Sequence, residues 1–104
     1  MNKYRNVKTK VGGITFDSRK EATRWQDLLL LQGAGEITHL RRQETFTFRV
    51  DGILIGKYRC DFAYTENGKA IVEDVKSPVT RKLDVYRMKK ALMKAIFGIE
   101  IRET

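Results

Sequence analysis

Cysteine, histidine and proline each occur once in the 104 residues, as Cys60, His39 and Pro78. A lone cysteine forms no intramolecular disulfide, which removes the stapled secreted class. One cysteine with one histidine is no ligand set for a structural zinc, which removes zinc-finger DNA binding. Long apolar runs are also missing: the longest, Leu28 to Leu31, is far below the ~20 residues that span a bilayer. The basic start Met1-Asn2-Lys3-Tyr4-Arg5 leads into no apolar segment, so no secretory signal is read and the cytoplasm is the expected compartment. Internal repeats and low-complexity tracts are lacking as well. Gly33-Ala34-Gly35 closes a helix instead of opening one, with no Lys-Ser or Lys-Thr pair after it, so there is no phosphate-binding loop. Negative charge is in short supply: 13 Asp and Glu stand against 21 Lys and Arg, for a net charge of +8. A partner that carries negative charge is favoured.

What is present suffices for one domain with one core and one site, burying roughly 65% of the surface that the unfolded chain exposes. Residues 1–10 hold four cations and little that packs, and read as a basic N-terminal arm; residues 11–104 form the domain. Ile14 to Phe16 is a short extended piece. Ser18-Arg19-Lys20-Glu21 then has capping-box spacing and opens a helix that runs to about Gln32. After a brief extended stretch, Ile37 to Leu40, alternation of Phe46, Phe48 and Val50 predicts a strand ending at the Asp51-Gly52 turn. A second strand, from Lys57 to Tyr64, puts Tyr58, Cys60, Phe62 and Tyr64 on one face, and Cys60 reads as a buried apolar thiol. Asn67-Gly68 turns the chain into a third strand, Ala70 to Lys76, which Ser77-Pro78 stops. A second helix over Arg81 to Phe97, with Val85, Met88, Leu92 and Ile96 facing inward, precedes a last short strand at Ile99 to Ile101. The class is mixed α/β, in the order helix, three strands, helix, strand.

The chemistry follows from the Asn67-Gly68 turn, because a two-residue hairpin turn fixes register. Glu66 then faces Lys69, Tyr64 faces Ile71, Ala63 faces Val72, Phe62 faces Glu73, and Asp61 faces Asp74. Directly opposed residues have Cβ atoms about 4.5–5.5 Å apart, and like charges there destabilise a sheet. Lys76 and Arg59 lie on the diagonals of the two aspartates, and facing carboxylates in an apolar hairpin invite a hard divalent cation with oxygen ligands. Glu73 points to the other side and is a weaker candidate. A solvated polar face with surface ion pairs, at ~0–1 kcal/mol each, accounts for the same residues. Glu21 falls on the inward face of the first helix as a third acid, or reaches back to the Ser18 amide as a capping-box partner. His39, near two arginines and no nucleophile, reads as a surface residue.

The set Asp61, Asp74-Val75-Lys76 and Glu21 resembles the PD-(D/E)XK nuclease superfamily, and within it a small phage- and prophage-associated, Holliday-junction-resolvase-like group. The stretches Phe16-Asp17-Ser18-Arg19-Lys20-Glu21-Ala22, Asp61-Phe62-Ala63-Tyr64 and Val72-Glu73-Asp74-Val75-Lys76 carry the resemblance over nearly the whole chain. Cys60 stands where the motif has proline, and Asp74 is the aspartate alternative to glutamate. The resemblance implies a restriction-endonuclease-like domain around a central mixed sheet, in a host cytoplasm if phage-encoded. It also implies Mg²⁺ or Mn²⁺ held by Asp61, Asp74 and the Val75 carbonyl, with Glu21 as a ligand directly or through water. Lys76 then orients the attacking water and stabilises the transition state. The implied activity is metal-dependent hydrolysis of DNA phosphodiesters.

Cations supply the other half of the reading. Lys20, Arg24, Arg41, Arg42, Lys82, Lys89 and Lys90 are candidates to track phosphates. No base-reading motif accompanies them, so substrate choice would rest on backbone path and shape, as in branched or single-strand-containing DNA. Two-strand cleavage by so small a chain suggests a homodimer, with the last strand as a possible edge. The competing readings are a basic DNA-binding accessory protein that keeps the fold without cleaving, and a protein–protein adaptor of phage assembly.

Overall fold

A computed structural model describes residues 7–104; the first six residues of the expected basic arm lie outside the described residues. The arm is shorter than its composition suggests. Strand β1 (Thr9–Val11) already pairs with β2 (Ile14–Phe16) across the Gly12-Gly13 turn, where both glycines have positive φ. Helix α1 (Arg19–Gly33) begins where the capping pattern puts it: Ser18 Oγ accepts from the Glu21 amide at 3.1 Å. The helix ends at Ala34, followed by Gly35 at φ 79°.

Five consecutive strands follow: β3 (Thr38–Arg42), β4 (Thr45–Val50), β5 (Ile53–Arg59), β6 (Phe62–Glu66) and β7 (Lys69–Asp74). Asp51-Gly52 and Asn67-Gly68 both have positive φ at each central residue, the geometry that closes a two-residue hairpin without splaying its strands. The β6–β7 register is the expected one, Glu66 to Lys69 through Phe62 to Glu73. The expected single strand from Lys57 to Tyr64 is two strands. The chain breaks at Cys60-Asp61, so Tyr58 and Cys60 pack on one side of the sheet, whereas Phe62 and Tyr64 pack on the other. Uninterrupted alternation across the break is therefore wrong, because the extra turn of backbone at Asp61 exchanges the faces.

The last third also departs from expectation. Ser77 caps a short helix, α2 (Pro78–Arg81), with proline in its first turn where a missing N–H costs nothing. The chain breaks at Lys82-Leu83, then α3 (Asp84–Leu92) continues as a π-turn (Met93–Phe97) that Gly98 ends at φ 68°. Val85 and Met88, expected inside, are 62% and 56% exposed; Tyr86 and Met93 are buried in their place. Tyr86 and Met93, seven residues apart and so on one face of the helix, set the buried stripe, and Val85 and Met88 fall beside it. The final strand, β8 (Arg102–Glu103), lies beyond Ile99 to Ile101, of which Ile101 is core.

The central sheet has the order β3-β6-β7-β8, antiparallel except for the parallel β7–β8 pair, so the fold is mixed α/β with a mixed sheet. α1 covers one face through Ala22 and Leu28, with Trp25 stacked 5.8 Å from Phe62; α3 and the base of β4–β5 cover the other through Tyr58, Tyr86 and Met93. Burial on both faces confines polar groups in β6–β7 to places where partners exist. Glu73, fully buried, is held by Arg24 of α1 through two bonds, 2.8 and 2.7 Å, and by the Tyr64 hydroxyl; Arg102 in turn donates to Tyr64 at 3.0 Å. No helix among the described residues is long and apolar enough to cross a membrane.

Arg24→Met keeps the stem in place and strands the Glu73 carboxylate without its cation. Because Arg24 is partly exposed, the expected loss is about 2–4 kcal/mol, short of the full range for a buried pair, read by urea unfolding at pH 7. A loss within experimental error would show that α1 does not depend on this pair.

Candidate functional site

The hairpin that orders the sheet also brings the acids together. Past the last paired residues of β6 and β7, the Asp61 amide donates to the Glu73 carbonyl at 3.2 Å and to Asp74 Oδ1 at 2.9 Å. Asp61 Oδ2 accepts from the Val75 amide at 2.8 Å. The ladder itself stops at Phe62 and Glu73, so Asp61 and Asp74 are not its next pair as expected; just past it the Asp74 carboxylate holds the Asp61 amide and the Asp61 carboxylate holds the Val75 amide. Asp74 is fully buried, and its second oxygen accepts from the Tyr58 hydroxyl. Lys76 places Nζ 3.7 Å from Asp74 Oδ2 and 5.1 Å from the centre of the Tyr86 ring. Arg59, expected on the other diagonal, is exposed on β5 and makes no ion pair among the described residues; Tyr58 occupies the place beside Asp74. Tyr58 went unrecognised because the break at Asp61 hides which strand of the neighbouring hairpin returns to the acids.

A cleft of about 470 Å³ opens above this pair, lined by Asp17, Lys20 and Glu21 at the start of α1, by Asp61, Val75 and Lys76 at the ends of β6 and β7, and by Ser77 and Thr80 around α2. Glu21 is 6% exposed. Ser18 caps the helix, but among the described residues the Glu21 carboxyl makes no hydrogen bond back to Ser18 or to any other group. Burial, then the charges of Asp61 and Asp17, push its pKa from 4.5 to about 7, with Arg42 pulling the other way. Burial raises Asp61 as well, opposed by the Val75 amide and Lys76. Asp74 is pushed up to about 6, chiefly by burial and the Asp61 charge, against the Tyr58 bond. Each of the three acids is therefore held where its charged form is disfavoured.

Among the described residues no three His, Cys, Asp or Glu side chains converge into a group that would enclose a metal ion. The donors that face the cleft are nevertheless of the kind a hard divalent cation takes. Asp61 and Glu21 line it with carboxylate oxygens, and water can complete the shell. Asp74, with both oxygens hydrogen-bonded and no lining position in the cleft, stands behind Asp61.

The candidate phosphate contacts divide. Lys20 lines the cleft, Lys82 is exposed and Lys89 is half-buried. Arg24 is committed to Glu73, Arg41 to Glu44 at 2.6 Å, and Lys90 to Glu103 at 2.8 Å. Arg42 lies 4.8 Å from the Phe16 ring centre and 6.0 Å from that of Trp25, with its Nε buried and unbonded among the described residues. Neither Arg24 nor Arg42 is thus a free-standing surface cation.

A mixed α/β domain with an acidic cleft at the open end of its central hairpin, rimmed by lysines, is the class that fold and site define. The chain belongs to the DUF1064 family, whose description is "Protein of unknown function" and whose family model matches residues 1–102. No curated protein and no solved structure matches it.

Glu21 gives the site a measurable signature. A carboxyl raised from 4.5 to about 7 stabilises the fold below pH 4.5, and this contribution is lost as pH rises through 7. In EDTA, Glu21→Gln should be more stable than wild type by about 1–2 kcal/mol at pH 8, with the difference gone at pH 4.5, by urea titration. Parallel pH profiles for the two proteins would mean that Glu21 is not held in a repulsive site.

Proposed function

We propose that the protein is a divalent-metal-dependent endodeoxyribonuclease of the PD-(D/E)XK kind, with the restriction-endonuclease-like arrangement that kind implies. The observation that carries the reading is the meeting of Asp61 and Asp74 across the end of one hairpin. The cleft beside them is lined by Glu21 and Asp61 together with Lys20 and Lys76. Carboxylates in a basic protein repel a phosphodiester unless a cation stands between them, so a module that only bound DNA would gain nothing from this cluster. Mg²⁺ or Mn²⁺, held by Asp61 and Glu21 with Asp74 and the Val75 carbonyl in support, would supply charge neutralisation at the phosphate and a lowered pKa for bound water.

The chain's own groups do the rest. Asp74, fixed by Tyr58 and the Asp61 amide, locks the Asp61 backbone so that its carboxylate faces the cleft. Lys76, steadied between Asp74 and the face of Tyr86, presents its ammonium at the rim, where it orients the attacking water and offsets charge growing on the phosphate oxygens. Lys20 offers a second cation to an adjoining phosphate. Hydrolysis forms a bond from water oxygen to phosphorus and breaks the bond to the departing sugar oxygen, which takes up a proton. Nothing in the cleft reads base edges, so structure of the DNA, branched or single-stranded, is the expected selector.

A second reading, a non-cleaving DNA-binding accessory protein, is favoured by one observation: both Asp74 oxygens are already bonded within the chain. Labelled linear, single-stranded, flapped and four-way-junction DNA, incubated with Mg²⁺, Mn²⁺ or EDTA, separates the two. The nuclease reading expects cleavage that needs metal and falls at least about 100-fold in Asp61→Asn and Lys76→Ala, from the loss of electrostatic stabilisation. Binding without cleavage under either metal would leave the accessory reading.

A further inference from the structure

The β4–β5 hairpin is a two-stranded sheet of its own, with no strand pairing to the central four strands. Its base is anchored: Phe46, Phe48 and Tyr58 pack into the core with Met93 and Phe97. Its outer half is not. Two-stranded hairpins are marginal in water, and this one carries Val50, Ile53, Leu54 and Ile55 at 47–65% exposure.

The register explains how these apolar groups are displayed. Thr45 pairs with Arg59 and Thr47 with Lys57, so all four share one face, and Arg49 follows on it. Between Phe48 and Arg49 the register slips: Phe48 faces Gly56 whereas Arg49 faces Leu54, leaving Ile55 as the extra residue of a bulge. The slip returns Leu54 to the face that already holds Lys57 and Arg59, and both Leu54 and Ile55 are 51% exposed. One face therefore presents two apolar side chains flanked by Arg49, Lys57 and Arg59. None of the three makes an ion pair among the described residues.

We propose that the β4–β5 ribbon docks on duplex DNA, with Arg49, Lys57 and Arg59 on phosphates and Leu54 and Ile55 pressed into the groove against a base step. The proposal rests on the DNA-directed reading above and adds a second contact surface to it. Two-stranded ribbons and sheets enter either groove of duplex DNA, and in the minor groove an apolar wedge between cations is the means by which proteins unstack and kink a step. A lone apolar patch would suit a second copy of this chain, but three unpaired cations around it repel their own copies and complement a polyanion. At the root of the same strand Tyr58 donates to Asp74, which ties the base of the ribbon to the acids. Since unstacking costs least where stacking is already interrupted, mismatched or branched duplex should bind tighter than perfect duplex.

The test is binding in EDTA, where no cleavage intervenes, of fluorescein-labelled duplex by anisotropy and of duplex carrying 2-aminopurine by fluorescence. Relative to wild type, Arg49→Ala/Lys57→Ala/Arg59→Ala should bind about 10–100-fold more weakly, with the slope of log affinity against log salt reduced by roughly 2–3. Leu54→Ser/Ile55→Ser should keep the slope and lose the 2-aminopurine enhancement. If the triple variant proves unfolded by circular dichroism, Lys57→Gln and Arg59→Gln singly should each lower the slope by roughly 1. Unchanged affinity and slope in the cation variants overturn the proposal. So does conversion of a dimer to a monomer by Leu54→Ser/Ile55→Ser with DNA binding intact, which would make the tip a self-association surface. Ribbon-dependent binding by a protein that cuts nothing supports the proposal while the nuclease reading falls; metal-dependent cutting identical in all variants does the reverse.

Discussion

The Asp61 amide meets the Asp74 carboxylate just past Phe62 and Glu73, the last pair that the Asn67-Gly68 turn sets, and the rest of the cleft is arranged around that contact. Each carboxylate takes a backbone amide of the other strand's end, Asp74 from Asp61 and Asp61 from Val75. The pair thereby terminates the ladder with hydrogen bonds that a continued strand would otherwise supply. Splitting the chain at Cys60-Asp61 is the companion of this arrangement: β5 leaves in its own hairpin, and Tyr58 swings back over Asp74. Register, strand break and acid pair are thus one structural decision.

Two adjacent residues of β7 show what burial does with different partners. Glu73 points toward α1 and meets Arg24 in a two-bond contact, with Tyr64 adding a third; its charge is matched in place. Asp74 points the other way and receives neutral donors, Tyr58 and an amide, with Lys76 at 3.7 Å as the nearest ion-pair partner. Burial and Asp61 hold its pKa up at about 6, and Glu21 across the cleft is held at about 7. A buried ion pair that is already complete serves as a joint between helix and sheet, whereas carboxylates held short of positive charge store an affinity for a cation. The fold places the first beneath α1 and the second at the open edge.

Legibility in the sequence follows how local the determining physics is. The Asn67-Gly68 and Asp51-Gly52 turns, the Ser18 cap and the Glu66-to-Phe62 register are set by two to four neighbouring residues, and each stands as read. That register brought Asp61 and Asp74 to the same end of the hairpin, although the ladder stops at Phe62 and Glu73 before they can pair, and helical period put Glu21 inward. What escaped depends on distant packing. Tyr58 meets Asp74 only because the strand is broken, and alternation carried through Cys60 conceals the break. Val85 and Met88 look like core by spacing, but the buried stripe runs through Tyr86 and Met93, whose place against the sheet only the tertiary packing sets. Arg24, one of many cations in the sequence, becomes the partner of Glu73 through an α1–β7 contact 49 residues apart.

The central claim is that the acids are held for a divalent cation, and Mn²⁺ binding tests it without reference to any substrate. The free Mn²⁺ signal in electron paramagnetic resonance should fall on addition of wild-type protein at pH 8 to the extent of about one bound ion per chain, with Asp61→Asn abolishing the effect. Wild-type protein that leaves the signal unchanged up to millimolar Mn²⁺, or Asp61→Asn that binds as well as wild type, would contradict it.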